Sequence, residues 1–136
     1  STAVGKIIYK MAAERLVPVT LELGGKSPCV VTANANIKVA ANRIVVTKFS
    51  NAGQMCIAPD YVFLHASVKE QLITAMKKKI VQFFSEQPIN SHEFGKIINE
   101  KQFHRLVNYL KEGKVVHGGE HDVQHLFIAP TLMESV

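Results

Sequence analysis

The chain has 136 residues, 47% of them hydrophobic and 20% charged, the proportions of one globular domain and not of a disordered, fibrous or collagen-like chain. The net charge of +5 is scattered along the sequence, without the basic stripe or tail that a nucleic-acid partner requires, and no apolar run approaches the roughly 20 residues of a membrane span. Two cysteines, Cys29 and Cys56, with no CxxC pair and no secretory leader, fit a reduced, cytoplasmic setting.

The chain opens on Ser1-Thr2-Ala3-Val4-Gly5 without an initiator Met and ends at Met133-Glu134-Ser135-Val136 without a closing element, so it reads as an excerpt of a longer polypeptide. Ser1 or Thr2 can cap a helix on which Val4, Ile7, Ile8, Met11 and Ala12 recur at helical spacing, ending before Pro18. Val19 to Leu23 has strand character and runs into Gly24-Gly25; Pro28-Cys29-Val30-Val31 reads as a second, buried strand. Asn34 or Asn36 caps the next helix, whose stripe of Ile37, Ala40, Ala41, Ile44, Val45 and Phe49 leads to a break at Asn51-Ala52-Gly53.

The aromatic and β-branched run Tyr61–His65 is predicted as a strand, followed by a Ser67-capped helix bearing Val68, Leu72, Ile73, Met76, Ile80 and Phe83 inward and Lys77-Lys78-Lys79 on its wet side. Residues 87–94 are polar and loop-like. A helix marked by Phe103, Leu106, Val107 and Leu110 closes at Gly113, and Lys114–His117 and Leu126–Ala129 are short strands around a Gly118-Gly119 turn. Alternating helices and strands predict an α/β sheet with helical cover.

Two residues stand out chemically. Cys56 follows a glycine-containing break at a helix end, a setting in which loops hold reactive groups on a rigid frame, whereas Cys29 lies inside an apolar strand and reads as core. Glu22, between Leu21 and Leu23, either faces solvent on an alternating strand or sits in a cavity that needs its charge; the glycines after it, which let backbone approach a ligand, favour the second reading. Gly25-Lys26-Ser27 looks like the end of a phosphate loop, but Thr20 stands where that motif needs its first glycine, and no GxGxxG is present. The first helix can still receive phosphate at its N-terminal amides. His117, His121 and His125 are four apart, but Gly118-Gly119 interrupts any shared helix face, so they read as loop histidines and no metal is expected.

A Glu-Leu-Gly-Gly-Lys segment at 22–26 and Asn51-Ala52-Gly53-Gln54-Met55-Cys56-Ile57-Ala58-Pro59-Asp60-Tyr61-Val62, with Glu and Cys 34 positions apart, resemble the aldehyde dehydrogenase superfamily, most closely its class-three branch. The likeness extends to the Ser-Thr-Ala-Val-Gly-Lys start and to Ile128-Ala129-Pro130-Thr131. It implies a partial aldehyde dehydrogenase fold, with residues 1–24 as the trailing edge of the nucleotide-binding domain and 25–136 as the front of an open α/β/α catalytic domain. It further implies NAD- or NADP-dependent oxidation of an aldehyde, with Cys56 as nucleophile and Glu22 activating a water, and pyrophosphate near Ser1, Thr2, Ala3, Val4 and Gly5. Nicotinamide would lie near Leu23. The asparagine completing the oxyanion hole, the first part of the nucleotide domain and a later Glu-x-Phe-Gly-Pro segment have no counterpart here. The resemblance therefore implies an inactive piece of a homo-oligomeric enzyme, taking medium to long aliphatic or aromatic aldehydes; the contrasting reading is a folded, non-catalytic interaction module.

Overall fold

The structure, a computed structural model, describes residues 1–136. Its centre is a β-α-β-α unit. Strand β1 (Pro28–Val31) pairs in parallel with β2 (Tyr61–Leu64), Pro28 opposite Tyr61 and Val31 opposite Leu64. Parallel strands need a crossover, and helix α2 (Ile37–Phe49) supplies it. Asn36 starts α2 by accepting the Val39 N–H at 3.2 Å, which satisfies one of the amides a helix start leaves free. Helix α3 (Lys69–Phe84) follows β2 and packs on α2.

The core lies between these two helices and one face of the strand pair. Ala41, Ile44, Val45 and Phe49 of α2 meet Leu72, Met76, Ile80 and Phe84 of α3, both sets spaced three or four apart, so each helix buries one stripe. Val31, Cys29, Val62 and Leu64 close this core from the strands. The alternate residues Val30 and Phe63 point the other way and are 70% and 61% exposed. Faces of parallel sheets are ordinarily covered, and within these residues only one face is.

Helix α4 (Glu100–Tyr109) is capped by Asn99. Strand β3 (Lys114–His117) runs antiparallel to β6 (Leu132–Glu134) with an irregularity between Val115 and His117, and β4 (His121–Asp122) pairs with β5 (Phe127–Ile128). Glu134 joins this region to the start of α3, its carboxylate lying 2.7 Å from the Lys69 amine and 3.1 Å from that of Lys114. Gly118, at φ +72°, turns the chain out of β3 where a Cβ would collide with the Pro130 carbonyl.

Five local expectations change. The Pro28–Val31 strand, expected to be buried, is covered on one face only, Pro28 and Val30 being exposed. Residues 19–23 form no strand, because no strand of the chain lies beside them to complete a ladder. The strand expected over 126–129 shortens to β5 and pairs with β4, and β3 finds β6 instead, so the Gly118-Gly119 turn does not make a hairpin of the two expected strands. Ser67 does not cap α3: it lies in a short 3-10 turn, its hydroxyl 2.8 Å from His65 Nδ1. The apolar stripe of α1 (Thr2–Ala13) is exposed, and Gly5 alone on this helix is buried. No helix is long and apolar enough to cross a membrane.

Candidate active site

The loop carrying Cys56 is built from the end of α2. Asn51, Ala52 and Gly53 follow it in the left-handed region, at φ 50°, 53° and 77°, a conformation that costs non-glycine residues roughly 1–2 kcal/mol each. Gln54 holds it in place. The Gln54 amide donates to the carbonyls of Asn51 (3.0 Å) and Lys96 (2.9 Å), while its oxygen accepts the Ile98 N–H at 2.9 Å. Ser50 Oγ donates to the Val46 carbonyl at 2.7 Å, and Ala58, buried, anchors the far side. Between these anchors Cys56 is a free thiol open to solvent.

Glu22 lies in the irregular segment between α1 and β1. Leu21 and Leu23 both pack against Gly5 of α1, where a Cβ would meet each at 3.3 Å. Glu22 is exposed, with no hydrogen bond or ion pair to hold its carboxylate. Gly24 and Gly25 have open space where their side chains would be, so this backbone is approachable.

What joins the two segments is Ser27. It exchanges hydrogen bonds with Asp60: the Ser27 N–H donates to Asp60 Oδ2 at 3.1 Å, and the Asp60 N–H donates to the Ser27 carbonyl at 3.0 Å. Ser27 Oγ also donates to the Cys56 carbonyl at 3.3 Å. Asp60 Oδ1 faces the amines of Lys48 (3.8 Å) and Lys26 (4.0 Å). Burial pushes the Lys48 amine below the ordinary lysine range, Asp60 opposing the shift and Lys26 adding to it. The structure thus brings the chain just beyond Glu22 against the Cys56 loop, and the Glu22 and Cys56 side chains share no hydrogen bond. Two hollows lie away from these segments, one between α2 and α3 beside Lys38 and Lys78, the other on the open face at Val30 and Phe63.

Ser1 Oγ accepts the Val4 N–H at 3.4 Å, and the Gly5 N–H donates to the Ser1 carbonyl at 2.8 Å. The first turn of α1 has no acidic residue, Thr2, Ala3 and Val4 are exposed, and Gly5 keeps Leu21 and Leu23 close behind it. With the Val4 and Gly5 amides turned to Ser1, the Thr2 and Ala3 amides remain at an unopposed helix start, whose partial positive charge suits a phosphate group. Leu23 lies at the base of this helix, next to the open Gly24. The histidines separate: His117 is on β3, His121 on β4 and His125 in the turn beyond, paired with Asp122 at 2.9 Å. Burial, then Lys77, lowers the His117 pKa.

Gln54, Lys48 and the contacts of Ser27 and Asp60 escaped sequence reading. Ser27 and Asp60 fall inside the quoted motifs, each one residue before a strand, and that position was the available signal.

The sequence pattern of the aldehyde dehydrogenase family matches residues 1–136. The 4,4'-diaponeurosporen-aldehyde dehydrogenase of Staphylococcus aureus is 49% identical across 100% of this chain and 30% of its own length. The dimeric NADP-preferring aldehyde dehydrogenase of Mus musculus is 46% identical, with the same coverage of both chains. Among solved structures, the substrate-bound state of Staphylococcus aureus AldH superposes with a TM-score of 0.92 at 48% identity, over 100% of this chain and 30% of that one. The Mycobacterium tuberculosis aldehyde dehydrogenase complexed with NAD+ gives 0.82 at 28% identity, again over 100% and 30%. The chain therefore spans about 30% of the length of these relatives.

Proposed function

Because the chain belongs to the aldehyde dehydrogenase family, we propose that the whole protein oxidises an aldehyde to a carboxylic acid with NAD or NADP, using Cys56 as nucleophile and Glu22 as the base of the hydrolytic step. The observation that carries the reading is the Ser27 junction, which ties the Glu22 segment to the loop presenting an exposed Cys56 thiol. Residues 1–24 belong in this reading to the nucleotide-binding domain and 25–136 to the catalytic domain, in a cytoplasmic homo-oligomer. The relatives named for NADP and solved with NAD+ support the cofactor assignment.

The chemistry follows from the residue types. The Cys56 thiolate adds to the aldehyde carbon, forming a C–S bond and an alkoxide that the Cys56 backbone N–H is suited to receive. Nicotinamide, when bound, supplies the acceptor for the hydride, a two-electron oxidation that leaves a thioester on sulfur. Glu22 then takes a proton from one water, whose oxygen adds to the thioester carbonyl. The C–S bond breaks, sulfur leaves as thiolate, and the acid departs. Ser1, Thr2, Ala3, Val4 and Gly5 would hold the pyrophosphate, and Leu23 would lie at the nicotinamide.

In the whole protein, Cys56→Ala should abolish NAD(P)H formation from aldehydes, whereas Glu22→Gln should allow one turnover and then stall, lowering the steady rate by about 10²–10⁴-fold. Steady turnover by Cys56→Ala would overturn the assignment. The 136-residue chain alone is expected to show no turnover, since it spans only about 30% of the length of its relatives.

A further inference from the structure

We propose that Asp60 is a positioning residue for thioester hydrolysis: through Ser27 it clasps the Glu22 segment against the Cys56 loop, and Lys48 steadies the clasp. The proposal rests on the roles given above to Cys56 and Glu22, and the geometry supports it in three ways.

Ser27 and Asp60 stand immediately before β1 and β2, where the paired strands begin. The Asp60 N–H continues the backbone ladder to the Ser27 carbonyl, but in the other direction the acceptor for the Ser27 N–H is the Asp60 carboxylate. One side chain therefore closes the mouth of the strand pair and frees the backbone before Asp60 to turn toward Cys56. The same carboxylate faces Lys48, an amine on the last turn of α2 that is two-thirds shielded from solvent, so the clasp is tied to the helix from which the Cys56 loop departs.

The two reactive segments do not depend on the clasp equally. The Cys56 loop has its own anchors in Gln54, Ser50 and Ala58. The Glu22 segment has packing of Leu21 and Leu23 on one side and then Gly24-Gly25, where a side chain would meet only open space, before Ser27. Losing the Asp60 carboxylate leaves the thiol loop in place and sets the carboxylate segment adrift, so the step that needs Glu22 slows while attack by sulfur and loss of hydride persist.

Asp60→Ala in the whole protein should lower the steady rate about 10- to 100-fold, the cost of a misplacement near 1 Å. The first-turnover burst of NAD(P)H should stay stoichiometric with active sites. Asp60→Asn, which keeps an oxygen for the Ser27 N–H but drops the charge facing Lys48, should fall between. A loss of folded enzyme lowers burst and steady rate in parallel, and that result, like an unchanged steady rate, overturns the proposal. If Asp60→Ala does not fold, Asp60→Asn and Lys48→Met are read by the same ratio. If the parent enzyme oxidises no aldehyde, the catalytic reading fails by itself. The clasp is then judged without cofactor, by hydrogen exchange: the Ser27 amide should exchange at least about 10-fold faster in Asp60→Ala, which removes its acceptor, a factor worth about 1.4 kcal/mol of opening free energy, and an unchanged rate overturns it.

Discussion

Gln54 offers the sharpest test of how the Cys56 loop is held. Its side chain uses both amide protons and its oxygen at once, on Asn51, Lys96 and Ile98, spanning 44 positions of sequence with one residue. Hydrogen bonds in a half-exposed setting contribute roughly 0.5–1 kcal/mol each, so Gln54→Ala should cost about 1.5–3 kcal/mol. Much of that loss should be local, because Asn51 and Ala52 are held in the left-handed region and relax once the staple is gone. Gln54→Glu is the more searching variant. Its carboxylate can still accept the Ile98 N–H but sets a second acceptor against the Asn51 and Lys96 carbonyls, so at neutral pH it should be at least as destabilising as the alanine. Below the ordinary glutamate value, near 4.3, protonation restores one donor and the deficit relative to Gln54→Ala should shrink. Urea unfolding at pH 7 and pH 4, with alkylation of Cys56 as a local probe, measures both effects. A Gln54→Ala variant within about 0.5 kcal/mol of the parent, or a Gln54→Glu variant as stable as the parent at pH 7, would refute the reasoning.

Leu72 is 1% exposed in the α2–α3 core, and Leu72→Ala should cost about 3 kcal/mol, moving the urea midpoint down by about 1–2 M; a shift below 0.5 M would mean that the site collapses around the smaller side chain. Hydrogen bonds from Lys69 and then Lys114 hold the Glu134 carboxyl below its ordinary range, and its hydrogen bond to Glu134 holds Lys69 above its own. The carboxyl's contribution is therefore present above pH 4.5 and lost as pH falls through the lowered value, while that of Lys69 is present below pH 10.5 and lost as pH rises through the raised one. Glu134→Gln should flatten the acid limb of the stability profile, and an unchanged limb would count against the bridge. Gly118→Ala combines a left-handed φ with a collision against the Pro130 carbonyl and should be more damaging than Gly25→Ala, where space is open; equal melting temperatures for the two would contradict that packing.

Much of the central unit was legible along the chain. The stripe of α2, its cap at Asn36, one of the two asparagines read for it, the aromatic and β-branched run of β2 and the break at Asn51-Ala52-Gly53 depend on spacing within a turn or two and formed where they were read. Helix α3, by contrast, begins at Lys69 and buries Phe84 rather than Phe83, with Ile73 outside the core. Cys29 and Cys56 also separated as expected, one against the core and one exposed. Strand partners were less legible. Leu126–Ala129 has the composition of a strand, but composition does not say which backbone will lie alongside, and β3 and β5 took different partners from those their order suggested. Val19–Leu23 has the same strand character and no partner in the chain at all.

The residue chemistry of the candidate site, a thiol after a helix break and a carboxylate before paired glycines, was determined by the sequence because reactivity belongs to atoms that each residue carries with it. The junction of Ser27 with Asp60 and Cys56, the three-way grip of Gln54 and the exposure of the α1 stripe were decided only by the tertiary structure. Those features depend on distances between positions some 30 to 40 apart, which follow from the path of the folded backbone and from the surfaces it happens to cover.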